Sequence, residues 1–149
     1  MKNYGIIAAM QEEMQEIQKL MRNISSERIY ELYFIKGEIN NKKIVLVEAG
    51  VGKVNAARTT QILIDKFSVD AIINVGSAGA ANDKLDIGDI VIGQRLVQHD
   101  FDITAFGHPK GYINNAGQYF DSNNQLVEQM KNAIKDLENT DFNILVGTV

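Results

Sequence analysis

The chain has 149 residues, 45% of them hydrophobic and 23% charged, with a net charge of -4. That suits one soluble domain, residues 1–149, with a substantial core, and offers no basic surface for nucleic acid: Lys42-Lys43 is the only pair among 15 scattered basic residues. The absence of cysteine excludes disulfides, thiolate catalysis and cysteine-ligated zinc, and no apolar run reaches membrane-spanning length, so the expectation is a cytoplasmic protein whose partners are small molecules or protein.

Tyr4 to Ala9 reads as a first strand and Gln11 to Ile24 as a helix, because Met14, Ile17, Leu20, Met21 and Ile24 recur at helical spacing. At about 100° per residue, Met10 and Glu13 fall on that apolar stripe while Glu12 falls opposite with Glu16. Glu13 is therefore an inward-facing carboxylate, whose pKa desolvation is expected to raise. Ile29 to Gly37 and Lys43 to Ala49 read as strands joined by a turn at Asn40-Asn41, since Asn tolerates positive φ. Gly50-Val51-Gly52-Lys53 superficially resembles a phosphate loop, but it lacks the GxxxxGK[ST] spacing and has Val54 in place of the hydroxyl residue. Its glycines read instead as a tight turn into a helix running from Val54 to about Phe67.

Ala71 to Val75 is a short run rich in Ile and Val that opens into Gly76-Ser77-Ala78-Gly79; it reads as a buried central strand whose carboxyl end either borders a crevice or turns into a loop that needs small residues only for packing. There Gly76 and Gly79 let the backbone come close to a flat or anionic group, and Ser77 is the side chain presented. A strand follows at Ile90 to Ile92, and Arg95 to His99 extends or restarts it. The stretch Phe101 to Tyr119 holds the sole proline, Pro109, and reads as a long functional or interfacial loop. Asp121-Ser122 reads as the cap of a helix whose stripe is Leu126, Val127, Met130, Ile134 and Leu137, and Phe142 to Val149 as another buried strand. His99, Asp100 and Asp102 form a weak metal pattern; loop capping is the expected use of these side chains, and no metal is expected.

Four blocks in order, Gly5-Ile6-Ile7-Ala8-Ala9-Met10-Gln11-Glu12-Glu13, Ala49 to Ala57, Asn74 to Gly79 and His99 to Gly107, resemble the bacterial 5'-methylthioadenosine/S-adenosylhomocysteine nucleosidases. The resemblance implies a three-layer α/β/α sandwich around a twisted mixed sheet, shared with purine and uridine phosphorylases, and a homodimer. It also implies hydrolysis of the N-glycosidic bond of thioether nucleosides, releasing adenine, without metal or organic cofactor. Carried over by position, Glu13 matches the carboxylate that activates water, Ser77 the serine near ribose and water, Ala78 and Gly79 the backbone beside sugar and base, and Met10 and Val51 the apolar wall. Ile103 and Phe106 match residues that reach the neighbouring subunit's site. Family members continue past the strand matching Ile144 to Val149 into the segments that hold adenine, grip the ribose and protonate the leaving base. A chain truncated at the C-terminus, inactive alone, is therefore the expectation. A phosphorylase of the same fold and a non-catalytic ligand- or partner-binding fragment are the alternatives.

Overall fold

The computed structural model describes residues 2–135 and 142–149. It divides into two compact units, Met1–Gly79 and Ala80–Val149.

The first unit is built on a five-stranded mixed sheet in the order β2-β3-β4-β1-β5. Its strands are β1 (Asn3–Ala8), β2 (Arg22–Ile29), β3 (Leu32–Ile39), β4 (Lys42–Glu48) and β5 (Ala71–Val75), with helices α1 (Gln11–Leu20) and α2 (Lys53–Phe67). Strand β1 runs parallel to both β4 and β5, whereas β2, β3 and β4 pair antiparallel. The connection from β4 through α2 to β5 crosses over β1, and α2 lays Ile62 and Leu63 on Ile7, Val45, Val47 and Phe34. The alternate residues Ile6, Ala8, Ile44 and Leu46 face the other way and are equally buried, and there Met21, at the end of α1, lies against Gly37. Strands buried on both faces need apolar residues at every position, which is why β1 and β4 read as continuous runs. Helix, sheet and helix make the three layers expected.

Several boundaries differ from the sequence reading. Helix α1 stops at Leu20, and Met21 adopts an extended conformation (φ -76°, ψ 145°), so Ile24 belongs to β2 and not to the helix. The expected strand from Ile29 to Gly37 is broken by a turn at Tyr30-Glu31, with Tyr30 at φ 54°, and β2 precedes it as an unforeseen partner. The Asn40-Asn41 turn forms as expected, with φ 47° and 61° at the two residues. Strand β5 is not central: it ends the order of the five-stranded sheet and its residues are mostly half-buried, because β1 takes the position flanked on both sides.

In the second unit β6 (Ile90–Val97) is one strand that extends through Arg95 and ends at Val97, with an irregularity between Gly93 and Arg95; it pairs with β7 (Tyr119–Asp121) and runs parallel to β8 (Ile144–Thr148). Helix α3 (Asn124–Lys135) packs Val127 and Ile134 on Ile92. Its cap is Asn123, whose Oδ1 accepts the Leu126 N–H at 3.1 Å, and not Asp121-Ser122. Asp121 lies in β7 and pairs with Arg95, while the Ser122 hydroxyl donates to the Gly93 carbonyl. Leu137 lies outside the described residues. The long connection from β6 to β7 contains a turn of 3-10 helix at Thr104–Phe106.

Leu63 is fully buried and Val54 is 83% exposed on the same helix. Leu63→Ala should therefore lower the unfolding free energy by about 2–5 kcal/mol in denaturant titrations, while Val54→Ala should change it by no more than about 0.5 kcal/mol.

Candidate active site

The register of the parallel strands sets the site. Ala8 of β1 stands beside Glu48 of β4 and Val75 of β5, so the three segments that follow leave the sheet at one edge. These are Ala9-Met10 leading into α1, Gly50-Val51-Gly52 leading into α2, and Gly76 to Gly79. Carboxyl edges of parallel strands are where open α/β sheets gather ligands. The positive φ of Gly50 (81°) and Gly52 (111°) makes the tight turn into α2 that the glycines suggested.

Glu13 occupies the third position of α1. Its Oε2 accepts the backbone N–H groups of Ala9 (2.9 Å) and Met10 (3.1 Å), the reaching-back half of a capping box. Its Oε1 accepts the backbone N–H of Ser77 at 2.8 Å and the Ser77 hydroxyl at 3.0 Å, across 64 residues of sequence. Glu12, one residue earlier, is exposed. The helical register thus falls as the spacing implied, and the structure brings Glu13 and Ser77 together.

The pKa of Glu13 moves opposite to expectation. Glu13 is only half-buried, and the Ser77 N–H, foremost, with the Ser77 hydroxyl and the Met10 and Ala9 N–H groups, outweighs desolvation and holds the carboxyl below the usual carboxylate range. Donors aimed at the ionised form favour it, whereas burial alone would have disfavoured it.

Met10 is 39% exposed and Val51 72% exposed, on two of the three segments at this edge; Ala78 and Gly79, also exposed, follow Ser77 on the third. Ile103 and Phe106 lie in the second unit, where Phe106 is 80% exposed and Ile103 less so. A cleft of about 270 Å³ at the same edge is lined by Ile7, Ala9, Ala49, Gly50, Ala56 and Asn74 among others, a set in which sequence reasoning had assigned no role to Asn74 or Ala56. A larger open depression of about 420 Å³ lies at the opposite end of the strands, around Asn3 and Lys43. Size favours the second and chemistry the first, since only the carboxyl edge carries a fixed carboxylate beside a hydroxyl.

Asp102 caps the 3-10 turn, its Oδ1 accepting the N–H (3.0 Å) and hydroxyl (2.8 Å) of Thr104, which is the loop-capping use expected of it. Among the described residues no three His, Asp or Glu side chains gather as a metal site, and no helix is long and apolar enough to cross a membrane.

Residues 3–149 match the family described as the phosphorylase superfamily. The 5'-methylthioadenosine/S-adenosylhomocysteine nucleosidase of Staphylococcus haemolyticus is 36% identical over 145 residues, covering 97% of this chain and 62% of that protein. The crystal structure of such a nucleosidase from Colwellia psychrerythraea, in complex with adenine, superposes with a TM-score of 0.94 at 34% identity, over 99% of this chain and 60% of that one. The Neisseria meningitidis nucleosidase in complex with methylthio-immucillin-A gives 0.93 at 34% identity, over 99% and 64%. The chain spans about three-fifths of the length of these relatives.

Because the folded-state pKa of Glu13 lies below that of the unfolded chain, its ionised form contributes stability that is fully present above the unfolded value and lost as pH falls through the lower folded value. The Glu13 carboxyl carbon, followed by NMR, should titrate below the ordinary glutamate range. Acidification through that window should lower the melting temperature of the native protein more than that of Glu13→Gln.

Proposed function

The chain belongs to the phosphorylase superfamily, and on that premise we propose that it serves the hydrolysis of the N-glycosidic bond of 5'-methylthioadenosine and S-adenosylhomocysteine, releasing adenine and the thioribose. The observation that carries this reading is the Glu13 carboxylate held beside the Ser77 hydroxyl. A glycosidic bond to a purine breaks through an oxocarbenium-like state that captures water, and a fixed, ionised carboxylate can orient that water and take its proton.

A carboxylate offers about four lone-pair directions, and four donors occupy them here. One must be given up for water to approach. The Ser77 hydroxyl is the donor that can rotate away without moving backbone, and it would then be free to bond the water or the ribose. Met10, Val51, Ala78 and Gly79 would supply the walls around the nucleoside. The same donors weigh against phosphorolysis: N–H groups that could cradle a phosphate are already spent on Glu13, whose charge would repel one.

The two compact units would act as one nucleosidase-type domain, a reading supported by a family match that runs unbroken from 3 to 149. The working form would be a cytoplasmic homodimer in which the exposed Phe106 and nearby Ile103 reach the neighbouring subunit's site. No organic cofactor enters the reaction as written, because water is the sole co-substrate.

The test uses these 149 residues carried within the full length of the relatives. Adenine release from 5'-methylthioadenosine in phosphate-free buffer should fall by about 10²-fold or more in Glu13→Gln, while Glu12→Gln stays near the native rate. Phosphate-dependent turnover, or an active Glu13→Gln, would overturn the reading.

A further inference from the structure

We propose that Gly76 is a positioning residue, whose missing side chain is the space in which the Glu13 carboxylate stands. A Cβ built on Gly76 would lie 2.9 Å from Glu13 Oε1, 3.1 Å from Cδ and 3.1 Å from Oε2. Real Cβ atoms essentially never come as close as the first of these, and all three atoms of one carboxyl group crowd the same point.

The glycine is not needed for a positive φ, since Gly76 is not among the residues that have one. Nor is Gly76 pressed by a wall of main chain: its three nearest atoms all belong to one side chain. The tip of a glutamate normally swings aside at little expense. Here it is held by the Ala9, Met10 and Ser77 N–H groups and the Ser77 hydroxyl, and swinging aside means leaving those four bonds. A methyl group at position 76 would thus be mild for the fold and severe for the carboxylate. Gly79, three residues on, has nothing within 4 Å of such a Cβ, so the constraint belongs to Gly76 and not to small residues in this loop generally.

The importance of the placement rests on the reading of Glu13 as the base, but the placement itself can be measured without turnover. The groups bonded to the Glu13 carboxylate, from Ala9-Met10 before α1 and from Ser77 after β5, are all neutral, so its titration reports hydrogen bonding and burial. In the 149-residue chain, Gly76→Ala should raise the NMR titration midpoint of Glu13 toward the ordinary glutamate value and shift the Ser77 amide proton upfield as its charged acceptor leaves. Amides of β4 and α2 should stay in place. A folded Gly76→Ala protein with an unchanged Glu13 midpoint and Ser77 amide would overturn the proposal.

Should Gly76→Ala not fold, the Glu13→Ala background decides. With the carboxylate gone, adding Gly76→Ala should leave the melting temperature of Glu13→Ala unaltered, and equal loss in both backgrounds would sink the idea. Failure of the functional reading is separate: an active Glu13→Gln would dismiss the base, while these readouts would still say where the carboxylate stands. In these 149 residues carried within the full length of the relatives, Gly76→Ala should lower kcat by about 10²-fold, the effect of a misplaced group, and change KM little.

Discussion

The bonds from Ser77 to Glu13 tie the end of β5 to the first turn of α1, and the carboxyl edge of the first unit is organised by that tie. It exists because β1 and β5 run parallel with Ala8 beside Val75, so that two segments far apart in sequence leave the sheet together. That register is held in turn by the α2 crossover, whose Leu63 fills the space over Gly5, and at the other end of the strands by Asn3, whose carbonyl accepts the Asp70 N–H and whose N–H donates to the Asp70 carboxylate. The buried core is the means by which a loop and a helix terminus are held at hydrogen-bonding distance.

The cage around Glu13 is made of dipoles and not of counter-ions. Neutral donors stabilise a carboxylate without neutralising it, so the edge keeps its negative charge while the pKa drops. A salt bridge to lysine or arginine would have lowered the pKa too, but would have placed a long, charged side chain in the space beside the carboxylate. The arrangement gains readiness at neutral pH and gives up base strength, since a carboxyl of lower pKa binds a proton less tightly. On the proposed reading, release of the Ser77 hydroxyl would restore part of that strength as water approached.

Which parts of this were legible in the sequence follows from where each signal resides. The register of α1 was readable because Met14 and Glu13 obey the local helical period, and the Asn40-Asn41 turn because positive φ is a property of the residues themselves. Strand β2 was not. Arg22 to Ile29 is polar and mostly exposed, and the period of α1 happens to run on to Ile24; pairing such as Ser25 with Lys36 and Glu27 with Phe34 makes it a strand. Strand β5 was readable in kind but not in place, because an apolar run reports coverage of its faces and says nothing of neighbours along the sheet. The direction of the Glu13 pKa depended on Ser77, a donor 64 residues away that no local pattern announces.

Gly76 joins these two levels. The sequence suggested a glycine that lets backbone approach a flat or anionic group, and the structure supplies the anion from within the chain: the carboxylate of Glu13, standing in the space a Cβ on Gly76 would take. An inorganic anion brought to the same amides would have to displace that carboxylate and meet its charge at once, losing the chelate-like advantage of a group already tethered in the first turn of a helix. Water faces neither obstacle, being neutral and able to donate to the carboxylate while it accepts from the serine. On the proposed reading, one tethered charge and one missing side chain would favour a neutral nucleophile over an anionic one at this edge.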